Sequence, residues 1–122
     1  MHRSPRALGA EGEDRAARLL ANSGYRIVGR NLRCDGVELD LIARRGRLVA
    51  IVEVKTRRSR RCGLPEEALD ERKCQRLIRG ARAWLRENGR RIDRVRFDVV
   101  VCEVDGDDWT LRHIEAAFDA SP

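Results

Sequence analysis

Lysine is nearly absent from this chain: 122 residues carry two, against 24 arginines. Arginine fills most positions that need only a positive charge. Each lysine therefore stands out as a site where a compact, mobile ammonium is wanted. Aromatic residues make up only 4%. Their scarcity leaves Val, Ile, Leu and Ala to build the core, and it argues against a stacking platform for single-stranded bases. His2 and His113 are too far apart in sequence to mark a histidine metal site. Cys34, Cys62, Cys74 and Cys102 contain no Cys-x2-Cys pair, a spacing poor for structural zinc, and they read as reduced core or surface thiols. No run approaches the roughly 20 apolar residues of a membrane span. Met1–Arg6 lacks the apolar centre of a secretion signal. A cytoplasmic protein without a membrane partner is the expectation.

What is present describes one globular domain. The chain is 42% hydrophobic and 38% charged, which suits a folded core rather than disorder. Its net charge of +6 and pI near 9.9 favour contact with a polyanion. Residues 1–8 read as a flexible basic tail, 9–118 as the domain, and 119–122 as a C-terminal tail. Helical periodicity runs from about Ala10 to Ser23, with Ala16, Ala17 and Leu20 inward. Glu13 falls on that same apolar face, where an acid needs a partner: a helix amide, an arginine or a metal. A first-turn glutamate favoured by the helix dipole explains it equally well.

Strand-like runs follow at Tyr25–Arg33, Val37–Ala43 and Leu48–Lys55, the last two joined by a tight turn at Arg44–Arg47. A basic loop, Thr56–Pro65, leads into a helix from about Glu66 to Asn88 with a break near Asp70-Glu71. Its apolar side carries Cys74, Leu77, Ile78, Ala81, Trp84 and Leu85. Its other side is an arginine ridge of Arg72, Arg76, Arg79, Arg82 and Arg86, which reads as a phosphate-binding face, as ordinary solvated surface or, more weakly because the small core needs the apolar face, as an amphipathic membrane contact. Strands at Arg96–Val104 and Trp109–Ile114 complete the order α-β-β-β-α-β-β, an α/β or α+β fold with a mixed sheet of about five strands.

The chemistry concentrates in the second and third strands. Period-2 alternation puts Glu38 and Asp40 on one face, opposite Leu39 and Leu41, and puts Glu53 and Lys55 together opposite Val52 and Val54. In a simple hairpin Asp40 lies opposite a residue near Val49, so bringing it to Glu53 needs a twist, bend or bulge. If the two carboxylates converge, they supply oxygen ligands suited to Mg²⁺ or Mn²⁺. Lys55 would then orient a water or neutralise a phosphate. Arg57, Arg58, Arg60 and Arg61 follow directly and read either as a loop closing over a phosphate backbone or as mobile surface. Lys73 begins the arginine-faced helix and reads as a further backbone contact. Asp98 reads as structural, paired with Arg96.

These elements resemble a known family. Gly12-Glu13-Asp14-x-Ala16, Glu38-Leu39-Asp40-Leu41-Ile42, Val52-Glu53-Val54-Lys55-Thr56-Arg57, Lys73 and Arg96-Phe97-Asp98-Val99-Val100 together resemble the bacterial YraN family, UPF0102, from about Gly9 to Phe118. That family is similar to the restriction-endonuclease-like nucleases and to archaeal Holliday-junction resolvases. The resemblance implies a metal-and-lysine core of Asp40, Glu53 and Lys55, with Glu13 as an additional helix-borne acid. It implies a Mg²⁺- or Mn²⁺-dependent endonuclease on DNA, branched or structured DNA in particular. It also implies a homodimer, because symmetric incision of a junction needs two active sites. The alternative is a non-catalytic nucleic-acid-binding protein that retains the fold.

Overall fold

The computed structural model describes residues 4–58 and 69–118. Helix α1 spans Pro5–Asn22 and strand β1 spans Arg26–Cys34. Strands β2 and β3 span Val37–Arg45 and Leu48–Arg57. Helix α2 covers Glu71–Asn88, and strands β4 and β5 cover Arg94–Asp105 and Asp108–Phe118. The α-β-β-β-α-β-β order is the one expected. The five strands form one sheet in chain order, all neighbours antiparallel except β3 and β4. That one parallel pair requires a crossover, which carries α2.

Helix α1 starts at Pro5, earlier than its apolar periodicity indicates, so part of the expected tail is helical. Ser4 caps it, its Oγ accepting from Ala7 N–H at 3.1 Å, and Pro5 occupies the first turn. A proline there loses no hydrogen bond and arrives with a helical φ. Helix α2 begins where the sequence marked a break, with the Asp70 side chain accepting from Lys73 N–H at 2.8 Å. The expected start at Glu66 lies outside the described residues.

One helix covers each face of the sheet. Ala16, Leu20 and Tyr25 pack with Leu41, Ala43, Ala50, Val52, Val100 and Cys102 on the α1 side. Leu77, Ala81 and Trp84 pack with Val37, Leu39, Ile42, Val49, Ile51 and Phe97 on the α2 side. The arginines of the α2 ridge stay exposed. Strand β4 is buried through its middle, as a strand covered on both faces must be.

Candidate functional site

The hairpin between β2 and β3 brings the two acids together directly. Arg45 pairs with Leu48, Ala43 with Ala50 and Leu41 with Val52. One step beyond the last pair, the same register brings Asp40 to Glu53, not to Val49. The two-residue loop Gly46-Arg47, with Gly46 at φ 62°, sets this register. The expected pairing near Val49 is therefore wrong.

The expected alternation in β2 also fails, at the decisive residue. Leu39 packs on the α2 side and Leu41 on the α1 side, so the strand changes face across Asp40. Asn31, facing Asp40 across β1 between the pairs Arg30–Leu41 and Leu32–Leu39, has φ 50°. A left-handed residue kinks β1 there. On the other side, β2 leaves β3: Val54 N–H donates to Asp40 Oδ2 at 2.9 Å, a side-chain carboxylate standing where a ladder carbonyl would otherwise stand. The sheet splits at this point, and Asp40 sits in the split.

A cavity of about 240 Å³ opens over it, lined by Val37, Glu38, Asp40, Glu53, Lys73, Arg76 and Leu77. The alternation that puts Val49 and Ile51 against α2 carries Glu53 to that side. Lys73, delivered by the capped first turn of α2, pairs with Glu53 at 2.7 Å between Nζ and Oε1. Burial pushes the Asp40 carboxyl up to about 7, and Glu53 and Glu13 push the same way. The Val54 amide and the Lys73 ammonium oppose that rise without cancelling it. Glu13 thus acts on Asp40 from the α1 side while Glu53 and Lys73 act from the α2 side.

Gly12 makes the approach of Glu13 possible. A Cβ there would overlap Thr56 Oγ1 on β3, and the Gly12 carbonyl accepts from Cys102 Sγ at 3.6 Å. Helix α1 therefore lies against the β3–β4 pair at the residue before Glu13.

Lys55 lies two residues beyond Glu53, exposed, and does not line the cavity. The lysine that touches an acid of the cavity is Lys73, which meets Glu53, a contact that sequence spacing does not reveal. The rarity of both lysines was the available signal. Arg57 belongs to β3 rather than to a loop: β4 pairs with β3 as far as Arg57–Glu103. Its nearly buried side chain approaches Glu103 at 3.5 Å. Arg76 lines the cavity, and Arg79 pairs with Asp35 at 3.5 Å. Arg58 is exposed, while Arg60 and Arg61 lie outside the described residues.

Asp98 has the structural place expected of it. Arg96 donates to both its oxygens at 2.8 Å, His113 Nε2 lies at 2.8 Å, and Ala116 N–H donates at 3.0 Å. Burial alone would raise this carboxyl. The hydrogen bonds from His113, Arg96 and Ala116 outweigh it and hold the group below its ordinary value.

The donor set at the split is chemically suited to a hard divalent cation. Carboxylate oxygens dominate it, and the burial and acidic neighbours that raise the Asp40 carboxyl are what a bound cation would offset. Among the described residues, no three His, Cys, Asp or Glu groups form a ready cation cage. Asp40 and Glu53 would supply two ligands and leave the remaining positions to water or phosphate, the usual arrangement for Mg²⁺. Also among the described residues, no helix is long and apolar enough to cross a membrane.

Related chains share most of this length. A UPF0102 protein of Nitratidesulfovibrio vulgaris is 46% identical over 113 residues, covering 93% of this chain and 84% of its own. UPF0102 proteins of Trichlorobacter lovleyi and Nocardia farcinica are 45% and 48% identical, covering 93% and 92% of this chain, and 91% and 89% of their own. The family model described as "Uncharacterised protein family UPF0102" matches residues 12–102, a span running from the glycine under Glu13 to the cysteine that binds its carbonyl. The chain belongs to the UPF0102 family.

Proposed function

We propose that the protein is a metal-dependent endonuclease that hydrolyses phosphodiester bonds in DNA, branched or structured DNA in particular. The observation that carries this reading is the split at Asp40, a carboxyl that shares one cavity with Glu53 and whose pKa is driven to about 7 by burial first, with Glu53 and Glu13 adding to it. A scaffold with no ligand to hold has little reason to keep such repulsion. Asp40 and Glu53 would hold Mg²⁺ or Mn²⁺, with Glu13 close enough to add charge. The ion would lower the pKa of a water and stabilise charge on the phosphate. The chain's own residues supply the remainder. Arg76 and the α2 ridge attract the backbone, and Glu38 borders the cavity. Lys55 faces outward from the same side of β3, placed to meet a phosphate entering from solvent. In the reaction, water oxygen bonds to phosphorus, one bridging P–O bond breaks, and the departing oxygen takes a proton. A cytoplasmic location and a homodimer with two such sites accord with this role.

The exposure of Lys55 outside the cavity favours a second reading, a nucleic-acid-binding protein that does not cut. Incubation with junction, nicked, duplex and single-stranded DNA in Mg²⁺ and in Mn²⁺ separates the two. Metal-dependent cleavage is expected, lost by at least about 100-fold in Asp40→Ala and Lys55→Ala. Cleavage surviving in both variants, or salt-sensitive binding with no cleavage anywhere in the panel, overturns it.

A further inference from the structure

A second cavity lies at the far end of the same hairpin. It measures about 560 Å³ and is lined by Gly24, Arg26, Arg44, Arg45, Gly46, Arg90 and Arg91. Three chain segments converge here: the start of β1, the end of β2 and the turn after α2 together deliver five arginines to one concavity. Among the described residues, none of these five arginines forms an ion pair with a carboxylate, whereas Arg15, Arg30, Arg47, Arg57, Arg79 and Arg96 all do. Their charge is therefore left for an external anion.

Two of the five are held in place by neutral groups. Arg44 donates through Nε to Gly46 O at 2.9 Å and through Nη2 to Arg91 O at 3.1 Å. Arg45 lies over the Tyr25 ring at 4.4 Å and donates to Ser23 O at 3.4 Å. Carbonyls and a ring fix these guanidiniums without neutralising them. Arg91 adopts φ 62°, an uncommon conformation for a residue with a side chain. Its carbonyl closes on Arg44, so the turn and the hairpin form one frame.

We propose that this arginine cleft is a second binding site for the phosphodiester backbone of a nucleic acid. Phosphate chemistry matches planar, unpaired guanidiniums. A free nucleotide fits less well: among the described residues no aromatic side chain lines the cleft, and Tyr25, which Arg45 covers, is buried, so a base finds no stacking surface. From Arg76 to Arg90 the chain follows α2 for nearly its whole course, about 20 Å at 1.5 Å per residue. That equals roughly six base pairs of duplex at 3.4 Å each. The site extends the nuclease reading by giving the same polymer a contact remote from the carboxylates, yet it requires neither metal nor cleavage.

The test is fluorescence anisotropy with a labelled duplex of about 20 base pairs, in EDTA, across a salt series. The variant Arg26→Gln/Arg90→Gln/Arg91→Asn removes three charges and keeps a residue that tolerates left-handed backbone at 91. The comparison variant Arg6→Gln/Arg18→Gln/Arg112→Gln removes three exposed charges elsewhere. The cleft variant is expected to weaken binding at least about tenfold at low salt, and to lower the slope of log K against log salt by about 2–3. The comparison variant should change affinity less than about threefold. Equal losses in both would mean diffuse surface attraction and overturn the site. So would binding of millimolar inorganic phosphate by the parent, lost in the cleft variant, with no duplex affinity in either, which would mark a small-anion pocket. Cleavage assays run on the same proteins separate the two ideas: a cleft variant that binds normally while the parent cuts sinks only the cleft. A parent that binds through the cleft but never cuts sinks only the nuclease.

Discussion

Lys73 shows how much one side chain decides at the carboxylate site. Its ammonium meets Glu53 at 2.7 Å and lowers Asp40's affinity for a proton, so it already does part of what a bound cation would do. The side chain is half-exposed while Glu53 is largely buried, so Lys73 can leave and Glu53 cannot. A divalent ion on Glu53 must compete with that ammonium. Replacing Lys73 with Gln removes the competitor and retains the length of the side chain. We expect Mn²⁺ affinity to rise about tenfold, the order of one unscreened charge at a few ångströms in a partly wet site. Titration calorimetry at pH 8 measures it directly. Weaker Mn²⁺ binding in Lys73→Gln would instead make the lysine an organiser of Glu53. DNA affinity should fall modestly, because one cation on the entry side is gone.

At the scale of elements, the site is a consequence of where regular pairing stops. Helices and strands were legible in the sequence because their periodicities, 3.6 in α2 and 2 in β3, match faces that are buried. The convergence of Asp40 and Glu53 was less legible, although the two-residue loop at Gly46-Arg47 fixed it. Counting from that loop brings them level, one step past the last ladder pair, Leu41–Val52, where β2 changes face and leaves β3. The face change at Asp40 was not legible at all, since it depends on Asn31 in β1 and on Val54 in β3, residues joined to it only by the sheet. The early start of α1 was signalled by Ser4-Pro5, a cap and first-turn pair outweighed by the polar character around it. The fit of α1 on β3 gives a prediction of its own. Gly12→Ala places a Cβ against Thr56, and either the helix or the threonine must move. A loss of about 1–3 kcal/mol in urea unfolding is expected, typical of overpacking. Gly9→Ala, with open space around it, should cost nothing or stabilise the helix slightly. Equal behaviour of the two alanines would dispose of the close approach that positions Glu13.

Across the whole molecule, two acids on the same sheet respond to pH in opposite directions, and the stability of the metal-free protein should record both. Asp40 is an acid whose folded pKa, about 7, exceeds its ordinary 3.8. Between those values the folded chain binds a proton more tightly than the unfolded one. Stability should therefore rise as pH falls from 8 to about 5, by at most about 3 kcal/mol, at 1.36 kcal/mol per unit below pH 7. Burial drives this limb, Glu53 from β3 and Glu13 from α1 add to it, the Val54 amide and Lys73 from α2 moderate it, and Glu38 faces the same cavity. Asp98 lies lower than its ordinary value, so its contribution is complete above about 4 and is lost as pH drops further. Thermal unfolding in a chelator should then show a maximum between these limbs. Asp40→Asn should raise the melting temperature at pH 8 and flatten the upper limb while leaving the acid loss intact. The difference between the two profiles isolates Asp40 from every other group that titrates in the range. Mn²⁺ should raise the melting temperature of the parent at pH 8 and do little for Asp40→Asn. Asp98→Asn should behave differently, losing about 3–5 kcal/mol above about pH 4, because it takes from the buried Arg96 the carboxylate that both its hydrogen bonds reach. If Asp40→Asn keeps the parent's slope between pH 8 and 5, the strain at the split is absent. The strongest support for a cation between Asp40 and Glu53 would then go with it.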